Sequence, residues 1–325
     1  MKICLLDPGI ENNSGSPSAN LGDLIIQEAV EREIAENFGN QELIRFSTHA
    51  SLEKQHLQAI KKCSLTFVGG TNLLSSDMKA YRQWKIGLRA ALQLKGAILL
   101  GVGWWQYQEN PTWYTKTVLR AALSSKAIHS VRDNYTKEKL SSIGIQNVIN
   151  TGCPTMWPLA AIKPEKIPTG KSENALSMLT DYSKQPALDK KFLELLASNY
   201  EKVYMWPQGK GDREYILELD VPVIILERSL EALDQFIKGN SFDYVGTRLH
   251  GGVRCLLSSK RSLILEIDNR AKEIAHDTGL PTSKRDDLDY ISQWIQGQTI
   301  TQLRLDLNSI QQWKNQFALM DRKIS

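Results

Sequence analysis

Residues 244–255, YVGTRLHGGVRC, gather side chains suited to handling an anion and a proton. A short apolar strand ends in Gly246, and Thr247, Arg248 and His250 follow at once. Gly251 and Gly252 then lead into an apolar helical run at 253–257. Strand, glycine-bounded turn and helix start make an anion site, because a helix's first N–H groups lack partners within it and its dipole favours negative charge there. Arg248 adds a planar fork for a carboxylate or phosphate. His250 can carry a proton near neutral pH, and Leu249 lies between the two.

Other candidates are weaker taken singly. Arg132, in HSVRDNYT, ends a strand; paired with Arg248 it makes a two-armed anion clamp between domains, whereas alone it reads as a surface salt bridge to Asp133. Asp23, in NLGD, either caps a helix or takes a proton from an incoming hydroxyl. Asn20 is placed to fix a ligand oxygen. Gly69 and Gly70, followed by Thr71 and Asn72, form a turn without the spacing of a nucleotide P-loop or of GxGxxG, which disfavours NTP hydrolysis and dinucleotide binding. Trp104 and Trp105, with Tyr107, Trp113 and Tyr114 nearby, read either as a platform for sugar C–H faces or as a hydrophobic cluster under a loop. Gln208 and Asp212, in PQGKGD, read as polar cleft-lining residues, with helix capping as the alternative for Asp212.

The elements that must position these residues alternate. Strand patterns at 2–6, 42–46, 63–68, 97–102, 127–131 and 148–151 are separated by helical patterns at 22–38, 52–61, 78–94, 111–124 and 136–143. A second series follows a linker that holds Pro158, Pro164 and Pro168. The fold class is therefore α/β, and parallel sheets of this kind bind ligands at the C-terminal ends of their strands. The expected organisation is an N-terminal domain at 1–158, a C-terminal domain at 159–300 carrying VGTRLHG, and a helical segment at 301–325. That segment, patterned as helix over 301–323, is expected to pack back on the first domain.

The totals narrow the function classes. The 325 residues carry a net charge of +4 with both signs spread along the chain, unlike a dedicated nucleic-acid binder. No apolar run approaches the ~20 residues of a membrane span. Cys4, Cys63, Cys153 and Cys255 lie far apart with no zinc-like spacing, so free thiols, no metal site and a cytoplasmic location are expected.

In chain order, NLGD, VGGTN, SVRD, TGCPT, PQGKGD and VGTRLHG together resemble the polysaccharide pyruvyl transferase family. The last motif is the most specific. The resemblance implies two Rossmann-like domains facing across a cleft, the glycosyltransferase-B arrangement. It implies phosphoenolpyruvate as donor, with no further cofactor, and a sugar of an exported or cell-surface glycan as acceptor. Arg132, Arg248, Leu249 and His250 would hold phosphoenolpyruvate, with Gly69, Gly70 and Asn72 beside it. His250 would be the general acid. Asp23 would lie near the acceptor, with Asn20, Trp104, Trp105 and Gln208. Thr71 stands where the family usually has a third glycine, and a β-branched residue stiffens that turn. A lipid-linked acceptor would bring the enzyme to the inner membrane surface. The competing readings are a sugar-nucleotide glycosyltransferase on the same fold and a non-catalytic sugar-binding protein.

Overall fold

In the computed structural model, residues 1–94 and 96–321 are described. The chain divides into two compact units. The first runs to Trp157, apart from Ala19–Gly22, and resumes at Leu305; the second comprises Ala19–Gly22 and Pro158–Arg304.

The first unit holds β1 (Lys2–Asp7), α1 (Leu21–Phe38), β2 (Glu42–Ser47), α2 (Lys54–Ile60), β3 (Leu65–Gly69), α3 (Leu88–Leu94) and β4 (Ile98–Leu100). It continues with α4 (Trp113–Ala122), β5 (His129–Val131), α5 (Asn134–Ser142) and β6 (Val148–Asn150). Its parallel sheet has the order β2-β1-β3-β4. A parallel bridge from Val102 to Val131, and the Gly101 N–H donating to Ser130 O at 3.0 Å, carry the pairing on to β5 and β6. Strands buried on both faces read as unbroken apolar runs, as in Ile3 to Leu6.

The second unit holds β7 (Asn174–Ser177), α6 (Pro186–Asn199), β8 (Lys202–Met205), α7 (Asp212–Glu218), β9 (Ile224–Ile225) and α8 (Leu230–Gly239). Then come β10 (Asp243–Gly246), α9 (Leu249–Leu257), β11 (Ser262–Glu266), α10 (Asn269–Thr278), β12 (Thr282–Lys284) and α11 (Leu288–Gln296). All six strands are parallel, in the order β12-β11-β10-β7-β8-β9. This is the doubly wound Rossmann order, whose two halves meet at β7 and β10. The fold is thus two-domain, Rossmann-like α/β. Helix α12 (Leu307–Asp321) belongs to the first unit, where Ile310, Trp313 and Phe317 join a core with Phe38, Phe67 and Trp157. No helix among the described residues is long and apolar enough to cross a membrane.

Three helical expectations change. Only 88–94 of the 78–94 pattern is helical, because Trp84 and Ile86, two apart, are both buried. The Met78 N–H donates to Thr115 Oγ1 at 2.8 Å and the Lys85 N–H to Thr48 O at 2.9 Å, pinning this stretch as an ordered loop. The final helix begins at Leu307 rather than 301, since 301–306 is irregular; the expected end at 323 lies outside the described residues. The third concerns the glycines after His250 and bears on the site.

Candidate active site

In open parallel sheets ligands gather outside the carboxyl ends of the strands where the winding reverses. In the second unit that point is the pair β7 and β10, and the segment after β10 is Thr247-Arg248-Leu249-His250. Helix α9 begins at Leu249, so His250, Gly251 and Gly252 belong to its first turn rather than to a preceding loop. Close packing explains both glycines. A Cβ on Gly251 would run into Met178 Sδ, and one on Gly252 would lie 2.5 Å from the Tyr244 ring and 2.8 Å from Ile264. Absent side chains seat the start of the helix directly on β10 and β11 and on Met178, just past β7. The Thr247 N–H donates to Met178 O at 2.8 Å, and Tyr244 Oη donates to Arg248 O at 2.8 Å, fixing the turn.

Arg248 is the N-cap residue of α9, and no side chain caps the helix. The first backbone amides of α9 therefore have no acceptor inside the helix, at the positive end of its dipole. The Arg248 guanidinium itself is not the open fork expected from sequence. It is 3% exposed, and Nε and Nη2 both bond the Asp212 carboxylate, Nε to Oδ2 at 3.1 Å. Nε also reaches Leu179 O at 3.2 Å, and Nη2 reaches Asp181 Oδ1 at 3.4 Å. The Tyr182 ring lies 5.1 Å from the guanidinium carbon. A buried cation needs a counter-charge and satisfied donors, and Asp212 supplies both. Among the described residues Nη1 donates to nothing, which leaves it as the Arg248 group for a ligand.

Asp212 therefore lines no cleft. It is fully buried at the start of α7 and also accepts the Gln208 and Gly209 N–H groups, at 3.0 and 2.7 Å. Gln208 is buried beside it. Its Nε2 donates to Asn20 Oδ1 at 3.1 Å, and the Leu21 N–H donates to Gln208 O at 3.1 Å. Asn20 and Gln208, both expected on the acceptor side, are thus joined to each other within the second unit. Gln208 Oε1 has no hydrogen-bond partner and lies 3.5 Å from where a Gly251 Cβ would stand. Its surroundings include the same helix start that holds His250, whose residue is 6% exposed.

In the first unit, Arg132 follows β5 and is buried, not a surface residue. Its Nη2 donates to Asn72 Oδ1, and its Nε lies 3.2 Å from Asp133 Oδ2. Asp133 in turn caps α5, accepting the Thr136 N–H at 2.7 Å. Gly103 makes room, since any side chain there would overlap the guanidinium. Arg132 and Asn72 are brought together, at the carboxyl ends of β5 and β3. Gly69 closes β3 and Gly70 follows it, packed on the Gly101 carbonyl. Thr71 O accepts the Gly103 N–H at 2.9 Å, so this turn is tied to the one after β4. Asp23 sits in the first turn of α1, half-buried, with Ser18 Oγ donating to it at 3.0 Å.

Trp104 does not offer a face to a sugar. It is completely buried, with its Nε1–H donating to Gln108 Oε1 at 3.0 Å and its N–H to Thr136 Oγ1 at 2.9 Å. The packing of α5 under this loop takes the ring into the core. Trp105 remains partly exposed and stacks on Tyr81, with ring centroids 4.0 Å apart. The four cysteines are free thiols, and burial raises the pKa of each. Among the described residues no His, Cys, Asp and Glu group is arranged to hold a metal ion. Sequence reading missed Asp181, Tyr182 and Met178, which surround Arg248 and α9; their signal was only position, directly after a strand.

Solved structures to which the chain is similar include the S. aureus MnaA–UDP co-structure, at 12% identity over 90% of this chain and 88% of that one, TM-score 0.49. UDP-GlcNAc 2-epimerase from Neisseria meningitidis bound to UDP-GlcNAc matches at 14% identity over 98% and 94%, TM-score 0.46. A putative UDP-N-acetylglucosamine 2-epimerase from Listeria monocytogenes matches at 12% over 93% and 91%, TM-score 0.48. No curated protein matches the sequence significantly. The family model for polysaccharide pyruvyl transferase matches residues 20–269, from the Asn20 turn through the whole of α9 and β11. The chain belongs to the polysaccharide pyruvyl transferase family.

Proposed function

We propose that this enzyme moves a pyruvyl group from phosphoenolpyruvate to two hydroxyls of a glycan sugar, forming a pyruvate ketal in the synthesis of an exported or cell-surface polysaccharide. The observation that carries the reading is the start of α9: a helix N-terminus with no side-chain cap, Arg248 and His250 together at the reversal of a parallel sheet. A small acid bearing a carboxylate and a phosphate suits that concentration of positive potential.

The chemistry balances as follows. A proton adds to the methylene carbon, making it a methyl and leaving a cationic centre at the neighbouring carbon. One sugar hydroxyl adds there, the C–O bond to phosphate breaks, and a second hydroxyl adds to the same carbon. Two C–O bonds form, one breaks, and the two hydroxyl protons end on the methyl group and on phosphate. His250 supplies the first proton. The amides of Leu249 and its neighbours, with Arg248 Nη1, stabilise the leaving phosphate as preorganised charge. In the first unit, Arg132 and Asn72, with the Gly69-Gly70 turn, are the candidates for phosphoenolpyruvate. Asp23 takes the acceptor proton, and Asn20 with Gln208 orients the acceptor. Gln208 Oε1, an acceptor atom without a donor, suits a sugar hydroxyl.

The test is phosphate release from phosphoenolpyruvate across a panel of acceptor glycosides, with mass analysis of the product. His250→Ala should reduce turnover by roughly 10²–10⁴-fold while phosphoenolpyruvate still raises the melting temperature. Arg248→Lys, which keeps a charge for Asp212, should weaken that shift. Turnover of a nucleotide sugar with no phosphate release from phosphoenolpyruvate would replace this reading with glycosyl transfer.

A further inference from the structure

We propose that the loops after β3 and β4, with the outer faces of α3 and α4, form a docking surface for an anionic lipid bilayer. The proposal goes beyond the transfer reaction and rests on one unit only. Residues 78–108 contain five basic side chains, Lys79, Arg82, Lys85, Arg89 and Lys95, and no Asp or Glu. Lys79, Arg82, Lys85 and Arg89 are exposed, and among the described residues none of the four makes an ion pair. Elsewhere on this unit some cations are matched, Lys2 with Glu42, Arg45 with Glu31, and Lys314 with Glu33 and Glu36, whereas the exposed Lys54, Lys62, Lys126 and Lys137 make no ion pair among the described residues. What sets 78–108 apart is its single sign, with no acid between Asp77 and Glu109.

Exposed aromatics of this unit lie in or just beyond that stretch, Trp113 following the exposed Glu109. Trp113 is 76% exposed and Tyr107 51%. Leu92, on α3, is 62% exposed. Trp113 opens α4, where Thr112 caps the helix and no acid stands in the first turn, so the positive end of the dipole is not neutralised. Lys116 lies three residues on, on the same face.

Hydrogen bonds make this one surface rather than a list of loops. The Met78 N–H donates to Thr115 Oγ1 at 2.8 Å, the Thr112 N–H to Ser76 O at 2.8 Å, and the Trp105 N–H to Leu74 O at 2.7 Å. Arg82 Nη1 and Tyr114 Oη both lie within 4 Å of where a Gly87 Cβ would stand. An exposed indole amid unpaired Lys and Arg matches the headgroup region, where Trp and Tyr rings partition and basic groups meet anionic lipid. With no spanning helix among the described residues, attachment here is to the bilayer surface.

The experiment is co-sedimentation of the full chain with phosphatidylcholine vesicles, with and without 30 mol% phosphatidylglycerol at ~0.1 M salt, no substrate being added. Wild type should pellet with the anionic vesicles and release as salt rises. Lys79→Glu/Arg82→Glu/Lys85→Glu should weaken binding at least about tenfold, and Trp113→Ala several-fold. Lys190→Glu/Lys191→Glu, on the other unit, should bind as wild type. Circular dichroism confirms that each variant is folded; should the triple variant unfold, Trp113→Ala and Arg89→Glu carry the test. No binding by wild type, equal binding to neutral vesicles, or variants that bind unchanged would overturn the proposal. So would capture of a soluble acidic glycan with the same variant dependence and no vesicle binding.

Discussion

Arg248 and Asp212 show how a candidate ligand-binding residue is held before any ligand arrives. Both are buried, and the carboxylate accepts from two N–H groups, Nε and Nη2, on one edge of the guanidinium while also tying the Gln208 and Gly209 amides. Removing one partner of such a pair strands the other as a buried charge, which typically costs about 3–5 kcal/mol. Asp212→Ala should lose stability on that scale in denaturant unfolding. Asp181→Asn should cost far less, because its contact is 3.4 Å long and its side chain is about one-third exposed. Equal losses for the two would mean that Asp181 and Asp212 share the anchoring of Arg248. The sequence singled out Arg248 and His250 as candidates because a strand end beside glycine is a local pattern, and Arg132 because it follows an apolar strand. It did not reveal Asp212 as the partner of Arg248, since those residues meet only when β8 and β10 are placed in one sheet on either side of β7. Trp104 failed for the same reason: its burial depends on α5, which follows it by a full strand.

At the scale of elements, the join between β4 and β5 depends on a histidine. His129 is completely buried; its Nδ1 accepts the Leu99 N–H at 3.2 Å and its Nε2 meets Ser124 O at 2.8 Å. Accepting at one nitrogen and donating at the other requires the neutral ring. Burial lowers its pKa from 6.5 to about 4, against a smaller opposing effect of the Ser124 carbonyl. The folded-state value is thus below the unfolded one. Below pH 6.5 the unfolded chain takes up a proton that the folded chain refuses until about pH 4, so stability falls as pH falls through that window. The loss amounts to up to about 3 kcal/mol at 1.36 kcal/mol per unit. In His129→Gln this limb should flatten, although stability at pH 7 drops with the lost packing; urea midpoints from pH 7 to 4 measure both. An unchanged slope would assign the acid sensitivity to other groups. Most elements were legible from apolar runs and glycine breaks. Strand β12, Thr-Ser-Lys, was not, because a short polar edge strand has no hydrophobic signature and is defined by its pairing to β11. The helical start at Leu249 was also hidden, since two successive glycines disfavour a helix unless neighbouring side chains forbid anything larger.

For the molecule as a whole, alternation of strands and helices disclosed the α/β class, but strand order is a property of the assembled sheets. The order β12-β11-β10-β7-β8-β9 is what turns VGTRLHG from a motif into a place, because it sets β10 beside β7 at the reversal. Residues from Leu305 onward belong to the first unit, far in sequence from the rest of it. There Trp313 is buried within 6.0 Å, ring to ring, of Phe67, Trp157 and Phe317. Each unit has its own core, so unfolding need not be a single transition. Trp313→Ala removes a large side chain from a dense aromatic cluster and should cost about 3–5 kcal/mol within the first unit. Hydrogen exchange read by mass spectrometry should then accelerate in peptides from β1, β3 and α1, while β7, β8 and β10 keep their protection. Should both sets of peptides lose protection equally, the two cores unfold as one and the final helix supports the whole chain rather than the first unit.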